Sequence, residues 1–320
     1  MPNTISPANA SHQGGAALLV FMLFFFLGAM AWLLTRSGSA ITRQQIDHAT
    51  TAALAEAKSG LIGRAAQDGN RPGSLTCPDT DNDGIANQVA GNCTAYIGRL
   101  PWKTLDLADL RDGRGERLWY ALDPGLRDNP AAEPINPQKA LQLSLDTNGA
   151  VAALVFSAGS PLSNQNGRPS NTVSDYLDGS NSDGDTSYVS GPSSPLFNDV
   201  VLAITRDDVF RTTNQRVLGE IRGPDDNAPG APNHGLRRYH EDNGTFPWAD
   251  TDNDGSGNPG ANSGNLPFND LNLHPTVSAW LNANAWLPLI TYQRISANAA
   301  TIAIGTSAMN ISPCPSSPCP

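Results

Sequence analysis

The six residues Asp-Thr-Asp-Asn-Asp-Gly occur twice in this chain, at 79–84 and at 250–255. In each copy carboxylates alternate along the backbone and a glycine follows: Asp79, Asp81 and Asp83 in the first, Asp250, Asp252 and Asp254 in the second. Such a pattern lets a chain wrap a hard cation, because calcium takes six to eight oxygen ligands and glycine permits the sharp turn. Counted from Asp79, the twelfth position is Ala90, where an EF-hand loop carries a glutamate, so the pattern is a looser calcium loop. The same residues also suit an acidic, solvated turn without metal, and the sequence leaves both readings open. Calcium is the one cofactor expected.

The four cysteines fall into two close pairs, Cys77 with Cys93 around the first loop and Cys314 with Cys319 in the tail. There is no Cys-x-x-Cys, and His234, His240 and His274 show no ligand spacing, so two disulfides explain the cysteines better than zinc, although four cysteines admit other connectivities. Disulfides imply an oxidising compartment. Catalytic patterns are missing: the chain has no Gly-x-Ser-x-Gly, no His-Glu-x-x-His and no glycine-rich phosphate loop, so no enzymatic activity is expected. A formal net charge of −10 argues against nucleic acid as a partner.

The elements that must hold these residues repeat with them. Residues 54–122 and 236–292 share one order. A helical stretch leads to the Asp loop, then to a Gly-x-Leu-Pro-aromatic run (Gly98–Trp102, Gly264–Phe268), then to a tryptophan-bearing strand (Arg117–Tyr120, Ala285–Tyr292). Trp102, Trp119, Trp248 and Trp286 belong to this repeat and are read as core. Between the copies, Leu118–Leu122, Ala140–Asp146, Val151–Ser157 and Val200–Thr205 read as strands. Residues 158–198, rich in Ser, Asn, Gly, Asp and Pro, read as a long exposed loop. Arg206–Arg222 reads as a helix with Val209, Phe210, Val217, Leu218 and Ile221 on its buried side.

The N-terminus is of a different character. From Ala16 to Leu34 there is no charged residue, enough at 1.5 Å per residue to cover the ~30 Å core of a bilayer. Beyond it, Ile41, Ile46, Ala49, Ala53, Ala57, Leu61 and Ala65 recur near one face at helical spacing. The start, with Gln13-Gly14-Gly15 ahead of Ala16-Ala17-Leu18-Leu19-Val20, resembles type IV prepilins and the pseudopilins of type II secretion. The resemblance implies cleavage between Gly15 and Ala16 by a prepilin peptidase, N-methylation of Ala16, and other pilin subunits and inner-membrane assembly machinery as partners. Val20 stands where major pilins carry glutamate, which is the pattern of minor pilins. The runs Cys77–Gly84, Gly98–Leu107 and Gly115–Leu122 are similar to those of pilin-like proteins of Gram-negative bacteria. Arg36 and Arg43 after the apolar run fit this orientation least well.

The expectation is therefore an α+β protein: a long N-terminal pilin-like helix, transmembrane in its first half, followed by an antiparallel-sheet head with a duplicated helix-loop-strand module. Its expected divisions are a leader 1–15, a helix 16–66 with 16–35 in the membrane, a first module 67–222 and a second module 223–320. The implied function is that of a minor pilin or pseudopilin subunit, a structural component of a cell-surface filament or its tip. Its head would lie in the periplasm before assembly and at the cell surface afterwards. The alternative is a periplasmic or surface, calcium-stabilised binding or adhesion protein on an uncleaved anchor.

Overall fold

The computed structural model describes residues 14–129, 133–223 and 234–314, and within the first helix the side chains of 18–30, 32 and from 42 onward. The leader 1–13 and Cys319 lie outside the described residues. The elements in order are α1 (Gly14–Gln67), β1 (Gln88–Val89), β2 (Asn92–Cys93), β3 (Ile97–Arg99), β4 (Trp119–Leu122), β5 (Leu143–Leu145), β6 (Asn148–Ser157), β7 (Ser187–Tyr188), β8 (Val200–Thr205), α2 (Arg206–Arg222), α3 (Gly235–Asn243), β9 (Ser263–Asn265), α4 (Pro275–Ala283), β10 (Thr291–Ser296), β11 (Ala299–Ile304) and β12 (Ser307–Ile311).

The chain divides into two units, Met1–Ala49 and Thr50–Pro320. In the first, the described apolar side chains of α1, among them Leu18, Leu19, Phe21, Phe24, Phe25 and Phe26, are exposed. Among the described residues no helix is long and apolar enough to cross a membrane. The expected transmembrane helix at 16–35 is corrected on this finding. So are the pilin-like fold built on a long apolar N-terminal helix, and the membrane and its inner-membrane machinery as partners. Gly15 and Ala16 lie at the start of α1, where side chains are outside the described residues.

The second unit begins inside α1. Ala53, Ala57, Leu61 and Ala65 recur every four residues, with Leu54 beside them, and all are buried. Small residues dominate this stripe, so neighbours approach closely; a side chain on Gly60 would meet Leu107 at 2.7 Å. The chain turns at Gly73, whose φ of 97° suits a residue without a Cβ.

Two sheets follow. In the larger, β6 is central. β8 runs antiparallel along one edge, and β4 and β5 pair with successive stretches of the other. β3 extends the sheet beyond β4. β7 pairs with β5 in parallel, so the larger sheet is mixed rather than purely antiparallel as expected. The smaller sheet is an antiparallel meander in the order β12-β11-β10-β9. β6 is buried along its length from Val151 because both of its faces are covered, which explains why it reads as a continuous apolar run. Ala153 and Val155 face the main core, while Leu154 and Phe156 face a second cluster with Tyr176, Leu177 and Tyr188 from the 158–198 loop.

α2 joins the two sheets, packing on β6 and β8 and also on β11, β12 and α3. Its start is fixed by a capping box: the Asp208 amide donates to Thr205 Oγ1 at 3.1 Å, and the Thr205 amide donates to Asp208 Oδ2 at 2.9 Å. One core thus contains residues of both repeats, with Leu118 and Tyr120 from the first and Phe246, Trp286 and Tyr292 from the second.

Candidate metal loops

Each Asp loop hangs from a short strand that follows it, β3 in the first module and β9 in the second. Asp79 exchanges two backbone hydrogen bonds with Arg99 at the end of β3 (3.0 and 2.6 Å), and Asp250 does the same with Asn265 at the end of β9 (3.1 and 2.7 Å). Gly98 and Gly264 permit this approach, since a Cβ there would stand 2.6 and 2.3 Å from the carbonyl oxygens of Asp79 and Asp250. The next strand anchors the same loop from below. Tyr120 on β4 donates its hydroxyl to the Thr76 carbonyl at 3.1 Å, and Tyr292 on β10 donates to Pro247 at 2.9 Å.

Within the loops the bonding matches atom for atom. Asp79 is 1% exposed and spends both oxygens on backbone: Oδ1 accepts from the amides of Asp81 (3.1 Å) and Asn82 (2.6 Å), Oδ2 from Gly84 (2.7 Å). Asp250, also 1% exposed, accepts from Asp252 (3.1 Å), Asn253 (2.8 Å) and Gly255 (2.9 Å). Asn82 and Asn253 take positive φ, 68° and 62°, as asparagine tolerates better than most residues. Burial pushes the Asp79 carboxyl above its ordinary range, opposed by the Gly84 and Asn82 amides, and the neighbouring Asp81 pushes it further.

The remaining carboxylates stand outward. Asp81 and Asp83 are exposed, as are Asp252 and Asp254, and in each triad one oxygen from each aspartate lies within 4.8 Å of the others. The structure therefore brings together all six aspartates singled out in the sequence, in two groups of three that could each hold a metal ion. Oxygen-only donors favour a hard cation.

Sequence reasoning missed the residues that close the loops. Asn87 accepts from the Thr80 amide (2.6 Å) and donates to Asp81 Oδ2 (3.3 Å); Asn258 does the same for Thr251 (2.7 Å) and Asp252 (3.2 Å). Both asparagines stand eight residues after the first aspartate of their loop, a shared spacing that was available to find them.

The loops differ in charge. Arg117, held by Asp109 at 2.8 Å, donates to the carbonyl and side-chain oxygens of Asn82 (2.7 and 2.9 Å), and Lys103 donates to the Asp83 carbonyl. In the second loop neutral amides take these places: Asn269 donates to the Asp254 carbonyl at 2.8 Å and Asn265 to Asn253 Oδ1.

No protein-family model, curated protein or solved structure matches this chain.

The cysteines divide by position. Cys77 and Cys93 form a disulfide that brackets the first loop, with Cα atoms 5.3 Å apart. Cys314 is also disulfide-bonded, while its expected partner Cys319 lies outside the described residues. The second loop has no cysteine beside it. Of the four repeat tryptophans, Trp119 and Trp286 are fully buried. Trp102 and Trp248 are half-buried and face cations, Trp102 under Lys103 and Arg117, Trp248 under Arg294 at 4.1 Å. The histidines that looked scattered partly converge: His234 lies 3.7 Å from Glu220 and its ring is 5.9 Å from that of His274. The neighbouring His234 imidazole holds the Glu220 carboxyl below its ordinary range.

Proposed function

We propose that this chain is a non-catalytic structural subunit of the minor-pilin or pseudopilin kind, with a head kept in shape by calcium at the twin aspartate loops. The observation that carries the structural reading is the way each loop spends its buried aspartate. Asp79 and Asp250 are fully engaged with their own backbone, so a cation held by the outer carboxylates would rigidify the loop rather than meet a substrate. Calcium is the ion of choice because every candidate donor is a carboxylate oxygen. The Cys77–Cys93 disulfide supports an oxidising compartment. The filament reading is supported by the Gln13-Gly14-Gly15 junction and by the exposed aromatic and aliphatic residues that follow it, which need cover in an assembly.

Mass spectrometry of the mature N-terminus tests the filament reading. It is expected to find a chain that begins at Ala16 with a methylated amine; an intact Met1, or a cut beyond Thr35, contradicts it. Calcium binding together with an unprocessed N-terminus would favour the second reading, a calcium-stabilised binding protein.

A further inference from the structure

The 158–198 segment is long and polar, yet it is fastened to the larger sheet by a buried polar cluster. Tyr176, Leu177 and Tyr188 lie over the outer face of that sheet, with Tyr176 against Trp119 (ring centroids 5.3 Å) and Tyr188 against Phe156 (5.4 Å). The end of the segment is held in the sheet by the pairing of β7 with β5; the part ahead of β7 is fixed by a pair of carboxyls, Asp178 within it and Asp199 after it, 2% and 4% exposed. Asp178 is well supplied: Oδ1 accepts from Gln165 Nε2 and Oδ2 from the Asn198 amide, both at 2.7 Å. Asp199 is not. Its Oδ2 accepts from the Asp178 amide and from Asn181 Nδ2, both at 2.9 Å, while its Oδ1 is buried with no hydrogen-bond partner among the described residues. An ionised carboxylate in that position leaves one charged oxygen unpaired away from water, which is costly; the neutral acid is not penalised in this way.

The charged groups that face Asp199 are Asp178, which opposes its ionisation, and Arg168, which favours it. Arg168 is itself committed to the segment, donating to Gln165 Oε1 at 2.8 Å and to the carbonyls of Gly159, Asp175 and Tyr176 at 2.7–3.0 Å.

We propose that residues 158–185, ahead of β7, form a flap over this sheet face, latched through the Asp178–Asp199 pair while Asp199 is protonated and loosened when both carboxyls are ionised. Opening uncovers an apolar surface that includes Trp119, on which Tyr176 rests. Burial pushes the Asp199 carboxyl from an ordinary 3.8 up to about 7 in the closed state. A group raised on closing binds its proton more tightly in the closed state, so closure is favoured most in acid. The advantage falls as pH rises from about 4 and is lost once pH passes about 7.

Hydrogen exchange of the full chain, corrected for the intrinsic pH dependence of amide exchange, measures this. The flap's opening constant is expected to rise by up to about tenfold per pH unit between pH 5 and 7 and to level off above, while α2 shows no such trend. Asp199→Asn should abolish the slope. Asp178→Asn, by removing the neighbouring negative charge, should move the rise to lower pH. A wild-type flap whose opening is flat from pH 5 to 8 overturns the proposal, as does an Asp199→Asn flap that keeps the wild-type slope. If the variants fail to fold, the wild-type profile alone decides.

Discussion

Asp79 and Asp250 differ from the four outer aspartates in what their loss should do. Each accepts three backbone amides in a buried position, and removing the acceptor strands those donors. Asp250→Ala should therefore lower stability by about 2–3 kcal/mol even without metal, read from the shift in the urea midpoint. Asp252 is exposed and serves the loop mainly as an outer oxygen, so Asp252→Ala should change metal-free stability by no more than about 0.5 kcal/mol yet remove the calcium response of that loop. A calcium response left intact in Asp252→Ala would exclude the triad as the binding group. The cationic side chains at the first loop make a further distinction. Arg117 and Lys103 bring positive charge where the second loop has neutral amides, and repel a cation at a cost of about 1–2 kcal/mol for one extra unit charge at ~10 Å. The second loop should bind calcium about tenfold more tightly than the first.

At the scale of elements, α2 shows how local signals decide a boundary. Its start is a capping box and its end is Gly223 at a φ of 98°, and both signs are present in the sequence as Thr205, Asp208 and Gly223. Thr205→Ala should cost about 1 kcal/mol, measurable by thermal melting, with the helix otherwise intact. The range Arg206–Arg222 and its buried side were legible for this reason, as was β8 at Val200–Thr205. The six aspartates were legible too, because a repeated hexapeptide with alternating carboxylates needs no tertiary information. Other features were not. The parallel pairing of β7 with β5 joins residues 43 positions apart through a segment that looks like loop, and nothing local marks it. The Asp178–Asp199 pair was hidden in the same segment, since its composition signals exposure while its fold buries both carboxyls. At the N-terminus the sequence misled in the opposite sense: an uncharged run suggested a membrane span that no described helix provides.

For the molecule as a whole, the duplication matters because the copies do not stand apart. Phe210 on α2 lies against Trp286 at 6.0 Å, and the Asn284 side chain donates to the Asn70 carbonyl (3.2 Å) and accepts from the Ile135 amide (3.2 Å). A core that includes residues of both repeats should unfold as one. Scanning calorimetry should show a single transition for the 50–320 unit, and two resolved transitions would mean that the modules are independent. Calcium bound only to the folded form should raise the melting temperature of that whole unit, since ligand at a hundred times its dissociation constant adds about 2.7 kcal/mol per site. The most direct test of the twin loops is an isothermal titration of the full chain with calcium after removal of all divalent ions. Two sites of unequal affinity per chain are predicted, the tighter one lost in Asp252→Ala. The absence of any binding, with a melting temperature indifferent to chelator, would contradict the account and leave both loops as purely hydrogen-bonded turns.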